Sequence, residues 1–313
     1  MDFELRILGS SSATPSANRH HTAQLLTIGN QYHLIDCGEG TQMQLMLYKI
    51  KHQRICNIYI SHLHGDHYFG LASLLSTMHL HGRQTPLHLF GPAGLSEILS
   101  LQFRYSGTNL CFDLIFTELD TTAHTLIFED KDITVHTLPM LHRVPCCGFL
   151  FREKPKPRPL VKEKLPDFLT PQQLVGLKAG KDIFDMHGNL LVANKEVTLE
   201  PKPQRSYAYC SDTRLNTAIV PWLQHVDLLY HEATFTDDLR ERAHYTFHST
   251  ARQAAELALQ AQVRHLLIGH FSVRYKDLSP LLQEAQETFP KTDLAIEGSI
   301  FCVREEDAPA EEQ

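Results

Sequence analysis

Residues 61–67 read Ser61-His62-Leu63-His64-Gly65-Asp66-His67, three histidines and an aspartate in H-x-H-x-D-H spacing. The apolar run Asn57-Ile58-Tyr59-Ile60 before them predicts a buried strand, and the apolar spacing of Tyr68-Phe69-Gly70-Leu71-Ala72-Ser73-Leu74-Leu75 after them predicts a helix. In a turn after an extended segment, His62 and His64 project to the same side. Asp66 and His67 then fall at the turn into the helix, where they can face a second ion. Imidazole and carboxylate together suit zinc better than calcium or magnesium. With 20 histidines in 313 residues, stray clusters are commoner than usual; this spacing would still arise by chance in only roughly one such chain in a few hundred.

The chain is long enough for one large domain or two ordinary ones, and 42% hydrophobic with 21% charged residues is a globular composition. A net charge of −7 excludes a uniformly basic nucleic-acid-coating protein and leaves room for a local basic patch. The start, Met1-Asp2-Phe3-Glu4-Leu5-Arg6, has acids and no apolar core, so no signal peptide is expected. No apolar run reaches the length of a membrane span, so no membrane association is expected. Seven cysteines without a C-x-x-C pair, mostly in apolar company, predict buried free thiols in a reducing cytoplasm.

In chain order, Glu4–Leu8 alternates as a first strand and runs into the small-residue loop from Gly9 to His20, which permits close backbone approach to a ligand. Strands are predicted at 23–28 and 32–35 around the Gly29-Asn30 turn, then the loop Asp36-Cys37-Gly38-Glu39-Gly40-Thr41, with Thr41 capping a helix through Leu47. A strand at 87–90 precedes a helix over 93–101 with Pro92 at its start. Further strands lie near Leu114, Leu126 and Val135, and the last of these leads to His142. Ser206–Cys210 is a strand ending at Asp212, a candidate bridging carboxylate. Val226–Tyr230 is a strand ending at His231-Glu232-Ala233-Thr234. His248-Ser249-Thr250 precedes a helix over 251–261, and His265–Ile268 is an apolar strand followed by His270. A helix near 281–288 and strands at Leu294 and Phe301 close the chain.

Strands alternate with helices in two halves, and polar residues recur at strand ends, the edge where layered α/β folds bind ligands. Between the halves, residues 152–181 carry eight Lys/Arg and three acids. That is +5 against a total of −7, so the remainder holds −12. Five prolines (Pro155, Pro157, Pro159, Pro166, Pro171) stiffen this stretch and oppose regular ladders. It reads as an insertion protruding from the main domain, either a solvated linker or a phosphate-contacting arm.

The order and strand-end setting of His62, His64, Asp66, His67, His142, Asp212 and His270 resemble the metallo-β-lactamase superfamily. Within it the chain resembles the ribonuclease Z family of tRNA 3′-processing endonucleases from about residue 5 to 303. The further motifs that match are Asp36–Gln42, Ser211-Asp212-Thr213-Arg214, His231-Glu232-Ala233-Thr234 and His248-Ser249-Thr250. The resemblance implies an α/β fold, an αββα sandwich of two mixed sheets over residues 1–304, with a basic exosite arm inserted at 152–205 and an acidic tail at 305–313. It implies two Zn2+ per subunit, one on His62, His64 and His142, one on Asp66, His67 and His270, with Asp212 shared. Asp66 would orient the nucleophile, and His248, oriented by Glu232, would protonate the leaving 3′ oxygen. His231 is left structural, and Glu39 would either stand behind a ligand or shape the loop. Arg19, Arg214, Lys162, Lys164, Lys178 and Lys181 would contact substrate. The partners implied are precursor tRNA and a second copy of the chain in a homodimer. Ala17 and His20 stand where the family's P-x-K-x-R-N loop has Lys and Asn, so discrimination of a mature CCA end does not carry over with the resemblance. The rival readings are another dizinc phosphodiesterase or arylsulfatase of the superfamily, and a non-catalytic RNA-binding subunit.

Overall fold

In Phe3–Gly9 the residues Phe3, Leu5 and Ile7 are buried while Glu4 and Arg6 between them are half-buried, the period of a strand with one face in a core. The computed structural model describes residues 2–14, 16 and 18–304; Ala17 and the acidic tail 305–313 lie outside the described residues. The strands are β1 (Phe3–Gly9), β2 (Ala23–Ile28), β3 (Gln31–Ile35), β4 (Ile55–Tyr59), β5 (Leu87–Gly91), β6 (Leu114–Glu118), β7 (Leu126–Glu129), β8 (Ile133–Pro139), β9 (Cys147–Glu153), β10 (Ile183–Phe184), β11 (Leu190–Val192), β12 (Ser206–Cys210), β13 (Leu228–Glu232), β14 (Leu266–Gly269), β15 (Thr292–Leu294) and β16 (Ile300–Cys302).

The chain divides into two compact units. The first takes in residues up to 129, 134–151 and from 205 onward. It holds two seven-stranded sheets, β16-β1-β2-β3-β4-β5-β6 and β15-β14-β13-β12-β9-β8-β7. Both are mixed: β1, β2 and β3 pair antiparallel and β3 to β6 parallel, while β12 to β15 are parallel and β7 pairs antiparallel with β8. The inner faces meet through aromatic rings. Tyr59 of β4 lies 5.4 Å from Phe149 and 5.3 Å from Phe151 of β9, centroid to centroid. Helices cover the outer faces. Leu45, Leu71, Leu74, Leu75, Met78 and Leu95 pack on Leu34, Ile58 and Leu89, and Ala251, Ala254, Ala255, Ala258 and Leu281 pack on Leu229 and Ile268. The result is the four-layer αββα arrangement that the sequence implies.

Several local expectations shift. The helix Thr41–Leu47 ends where predicted but starts one residue early: Gly40 at φ +86° is its cap, and the Thr41 hydroxyl donates to the Gly38 carbonyl at 2.7 Å. The helix after Pro92 runs Leu95–Ser106, starting past Gly94 at φ +91°. The single helix predicted after the histidine motif is two, Gly65–Tyr68 and Leu71–Leu80. The break falls at Gly70, whose N–H donates to the Cys37 carbonyl at 2.9 Å. Thr250 caps Ala251–Gln260 in a full capping box with Gln253.

The second unit takes in residues 130–133 and 152–204. Despite its prolines it holds an antiparallel hairpin, β10 with β11, and a helix Pro171–Lys178 that Thr170 caps with Gln173. The ladders avoid the proline positions, which is why the composition did not foretell them. Leu177, Ile183, Val192 and Val197 form its small core, and Arg158 grips Glu200 through two hydrogen bonds of 2.9 and 2.7 Å. Lys162, Lys164, Lys178 and Lys181 are exposed.

A methyl added at Gly70 would fall 2.3 Å from the Gly38 carbonyl oxygen and 3.0 Å from that of Cys37. Gly70→Ala is therefore expected to destabilise by about 1–3 kcal/mol, read as a lower urea midpoint with an unchanged slope.

Candidate metal centre

Five strand ends converge on one edge of the first unit. His62 and His64 follow β4, with Asp66 and His67 in the short helix Gly65–Tyr68. His142 follows β8, Asp212 follows β12 and His270 follows β14, while Glu232 ends β13. Four of the five, at β4, β12, β13 and β14, are carboxyl ends of parallel strands, the edge where such sheets let side chains converge, and β8, paired antiparallel with β7, brings His142 to the same edge.

The seven residues fall into two groups around one carboxylate. In the first, His64 Nδ1 lies 3.0 Å from His62 Nε2 and 3.1 Å from His142 Nε2. Asp212 Oδ2 stands 3.7 Å from His62 Nε2 and 3.8 Å from His142 Nε2. In the second, His67 Nε2 and His270 Nε2 are 3.3 Å apart, and Asp66 Oδ2 is 3.6 and 3.4 Å from them. Asp212 Oδ1 is 3.3 and 3.2 Å from the same two nitrogens. One carboxylate thus turns a separate oxygen to each group.

The groups fit divalent metal. A tetrahedral zinc with bonds of about 2.0–2.1 Å separates its ligand atoms by roughly 3.3–3.4 Å, and these separations span 3.0–3.8 Å. Asp212 Oδ1 is buried and has no hydrogen-bond donor. A buried carboxylate oxygen without a donor is costly unless a cation faces it. Burial, helped by the neighbouring imidazoles, holds His62 well below its ordinary pKa and also lowers His64 and His142, keeping them neutral as ligands must be. Burial opposes a proton on His67, but Asp212, Asp66 and Asp36 outweigh it and push its pKa well up.

A surrounding shell fixes the rings. His67 Nδ1 lies 2.7 Å from Asp36 Oδ2, and Asp36 also accepts from Ser61 N (2.8 Å), Ser61 Oγ (2.9 Å) and Tyr209 Oη (2.6 Å). His62 Nδ1 is 3.1 Å from Ser61 Oγ, His142 Nδ1 is 3.1 Å from the Phe247 carbonyl, and His270 Nδ1 is 3.0 Å from Thr234 Oγ1. Asp66 Oδ2 takes the Ala13 N–H at 2.7 Å. Of the eight non-glycine residues at positive φ among those described, Ala13, Asp36, Phe247 and His270 belong to this shell. Backbone strain collects where surroundings over-determine the conformation. Glu39, expected to stand behind a ligand or shape the loop, is exposed, and Asp36 is the loop carboxylate that lies against His67. Its position directly after an apolar strand is the signal that could have found it.

Glu232 is fully buried at the end of β13. Its Oε1 accepts from Thr213 N (3.2 Å) and Ser249 N (3.0 Å) and lies 2.9 Å from His248 Nδ1; its Oε2 accepts from Thr234 N and Oγ1 (3.0 and 2.9 Å). Burial opposes charge on His248, yet Glu232, with Asp212 and Asp66, lifts its pKa to about 9. His248 Nδ1 stands 4.0 Å from Asp212 Oδ2, so the pair adjoins the first group. His231 turns elsewhere, its Nδ1 on the Glu232 carbonyl at 2.6 Å. Arg19 donates to the Ser272 carbonyl at 3.2 Å and Arg214 to that of His244 at 2.7 Å. The four lysines singled out by the sequence belong to the second unit.

Comparison with known proteins bears on this geometry. The family described as Anti-Pycsar protein Apyc1 matches residues 3–155. The chain is 51% identical to the ribonuclease Z of Cytophaga hutchinsonii, covering 97% of each chain. It is 46% identical to that of Bacteroides fragilis, covering 96% of this chain and 98% of the other. Among solved structures it resembles the short form of human tRNase Z, with TM-score 0.71, 26% identity, and 96% and 99% of the two chains covered. It also resembles the metallo-β-lactamase fold protein YhfI of Bacillus subtilis (TM-score 0.68, 18% identity, 96% and 99% covered), a likeness of fold.

Two expectations follow from the shell. Asp36→Asn leaves His67 without its charged orienting partner, so metal affinity in a chelator-competition titration should fall about 10- to 100-fold. In chelator-treated protein, His248 has a folded pKa raised to about 9 from an ordinary value near 6.5. Its contribution to stability is then complete below about 6.5 and is lost as pH rises through about 9, up to about 3 kcal/mol in all. Urea midpoints of the metal-free wild type should fall across that window, and those of His248→Gln should fall less.

Proposed function

The chain belongs to the ribonuclease Z family, and from that premise we propose that it is a zinc-dependent endoribonuclease cutting precursor tRNA on the 3′ side of the discriminator base or close to it. The observation that carries this reading is the pair of donor groups sharing Asp212 with the His248–Glu232 pair beside them.

In this reading His62, His64 and His142 hold one zinc ion, Asp66, His67 and His270 hold the other, and Asp212 serves both. When bound, the ions supply a water acidified to near neutral pH and positive charge opposite the phosphodiester. Asp66 orients the attacking water and takes its proton. Water oxygen bonds to phosphorus as the bond from phosphorus to the 3′ oxygen breaks. His248, its Nδ1 fixed on Glu232, protonates the departing oxygen. The tRNA is left with a 3′-hydroxyl and the trailer with a 5′-phosphate.

The inserted unit at 152–205 serves as the exosite, with Lys162, Lys164, Lys178 and Lys181 on tRNA phosphates; their exposure supports this. Arg19 and Arg214 serve closer to the scissile bond. We place the chain in a homodimer; the exposed apolar face of Met43, Met46 and Leu47, 61–66% exposed, supports a protein partner there. Seven free cysteines support a reducing cytoplasm. Among the described residues no helix is long and apolar enough to cross a membrane.

A labelled precursor tRNA, with cleavage mapped to the nucleotide, tests the proposal. Wild type should cut at the discriminator and Asp66→Ala should not. Removal of residues 155–200 should slow cleavage of precursor tRNA far more than hydrolysis of a small phosphodiester. A wild type that hydrolyses the small ester but leaves the precursor intact would overturn the RNA reading.

A further inference from the structure

The helix Arg240–Thr246 and the residues after it reach the donor groups directly. Phe247 gives its carbonyl to His142 Nδ1 at 3.1 Å, and His248 follows it in the chain. Phe247 has φ +63°, a left-handed conformation that aromatic residues rarely adopt. It is held there by the His248 N–H, which donates to the Ala243 carbonyl at 2.8 Å. The Arg214 guanidinium lies 3.5 Å from the centroid of the Phe247 ring and that of Arg143 lies 5.8 Å from it. Arg143 also stands 5.9 Å from the ring of Tyr245, which is 79% exposed. Among the described residues the contacts of both guanidiniums run to backbone carbonyls and rings, not to a carboxylate.

Packing accounts for Arg214 on Phe247. It does not account for an open tyrosine beside an exposed arginine at the rim of a site that faces phosphodiester. Aromatic faces with uncompensated cations are what grips single-stranded nucleic acid: the ring stacks a base, and the cations hold the neighbouring phosphates. The location selects the nucleotide. His248 protonates the leaving 3′ oxygen in the reading above, and that oxygen belongs to the last nucleotide of the tRNA product. Tyr245 is three residues from His248 on the same short segment.

We propose that Tyr245, with Arg143 and Arg214, forms the subsite for the unpaired nucleotide that carries the leaving 3′ oxygen, its base stacked on Tyr245 and its flanking phosphates on the two arginines. This rests on the tRNA reading above.

The test uses the metal-loaded full chain and two precursor RNAs, one intact and one abasic at the nucleotide that carries the leaving oxygen. On intact RNA, Tyr245→Ala should lower kcat/KM about 5- to 100-fold, while Tyr245→Phe keeps most of the rate. On abasic RNA, wild type should fall to the level of Tyr245→Ala, and the substitution should cost nothing more. Arg143→Ala should weaken both substrates and make the salt dependence shallower. Equal losses for Tyr245→Ala on both RNAs, no loss on either, or a loss that follows metal content or Tm would overturn the subsite. Wild type failing to cut the intact precursor at the discriminator would instead overturn the tRNA reading, and the subsite with it.

Discussion

Asp212 brings a buried carboxylate to the seam between the two sheets, and the rest of the site is arranged to make that tolerable. One oxygen faces His62 and His142, the other His67 and His270. Asp36 and Asp66 add two more carboxylates within contact of His67, so the interior is rich in negative charge. Without metal, that charge raises the proton affinity of His67 and His248 against the burial that opposes it. In the proposed metal-bound state the same carboxylates would serve as ligands or orient them, and the protons would leave. Metal binding and proton release are two sides of one balance.

The halves of the site come from different sheets, so its geometry depends on how the sheets are fixed to each other. Buried hydrogen bonds cross the interface close to the donors. Tyr209 of β12 donates to Asp36, and Ser211 Oγ donates to Ser61 Oγ at 2.9 Å, while Tyr207 donates to Gln24 further down. The first two link a residue before Asp212 to Ser61 of the histidine motif or to Asp36, which lies against His67. Aromatic stacking around Tyr59 fills the space between. Interiors packed this closely do not slide gradually, and ring nitrogens about 3 Å apart need that rigidity.

How much of this the sequence shows depends on the range of the interaction. The α/β alternation and most strands were legible because apolar periodicity is local; Ser206–Cys210 has the bounds the pattern predicts. The convergence of the seven residues was legible because each comes in the loop or turn after an apolar strand, a one-dimensional trace of a three-dimensional edge. Asp36, Ser61, Tyr209 and Thr234 were not, since their roles rest on contacts across sheets or between loops. The break at Gly70 was missed for the same reason: it depends on a carbonyl of the Cys37-Gly38 loop more than thirty residues earlier. The hairpin β10–β11 was missed because proline composition says nothing of which residues pair.

A donor set of this kind can serve many phosphodiesters, so it cannot by itself choose a substrate. Choice must come from what surrounds it. In the first unit the segment Arg240–His248 concentrates that surrounding function. Its carbonyl at Phe247 steadies a donor, His248 pairs with Glu232, and Tyr245 opens an aromatic face to solvent. Moving any one of these would move the others, because a single strained turn at Phe247 joins them. In the proposed reading, chemistry and recognition would therefore be mechanically coupled here. With Tyr245 as the proposed base platform and His248 as the proposed acid, a misfitting base pressing on Tyr245 would disturb His248 and His142 at once. Selectivity of that kind would be expressed in the rate of cleavage more than in the strength of binding.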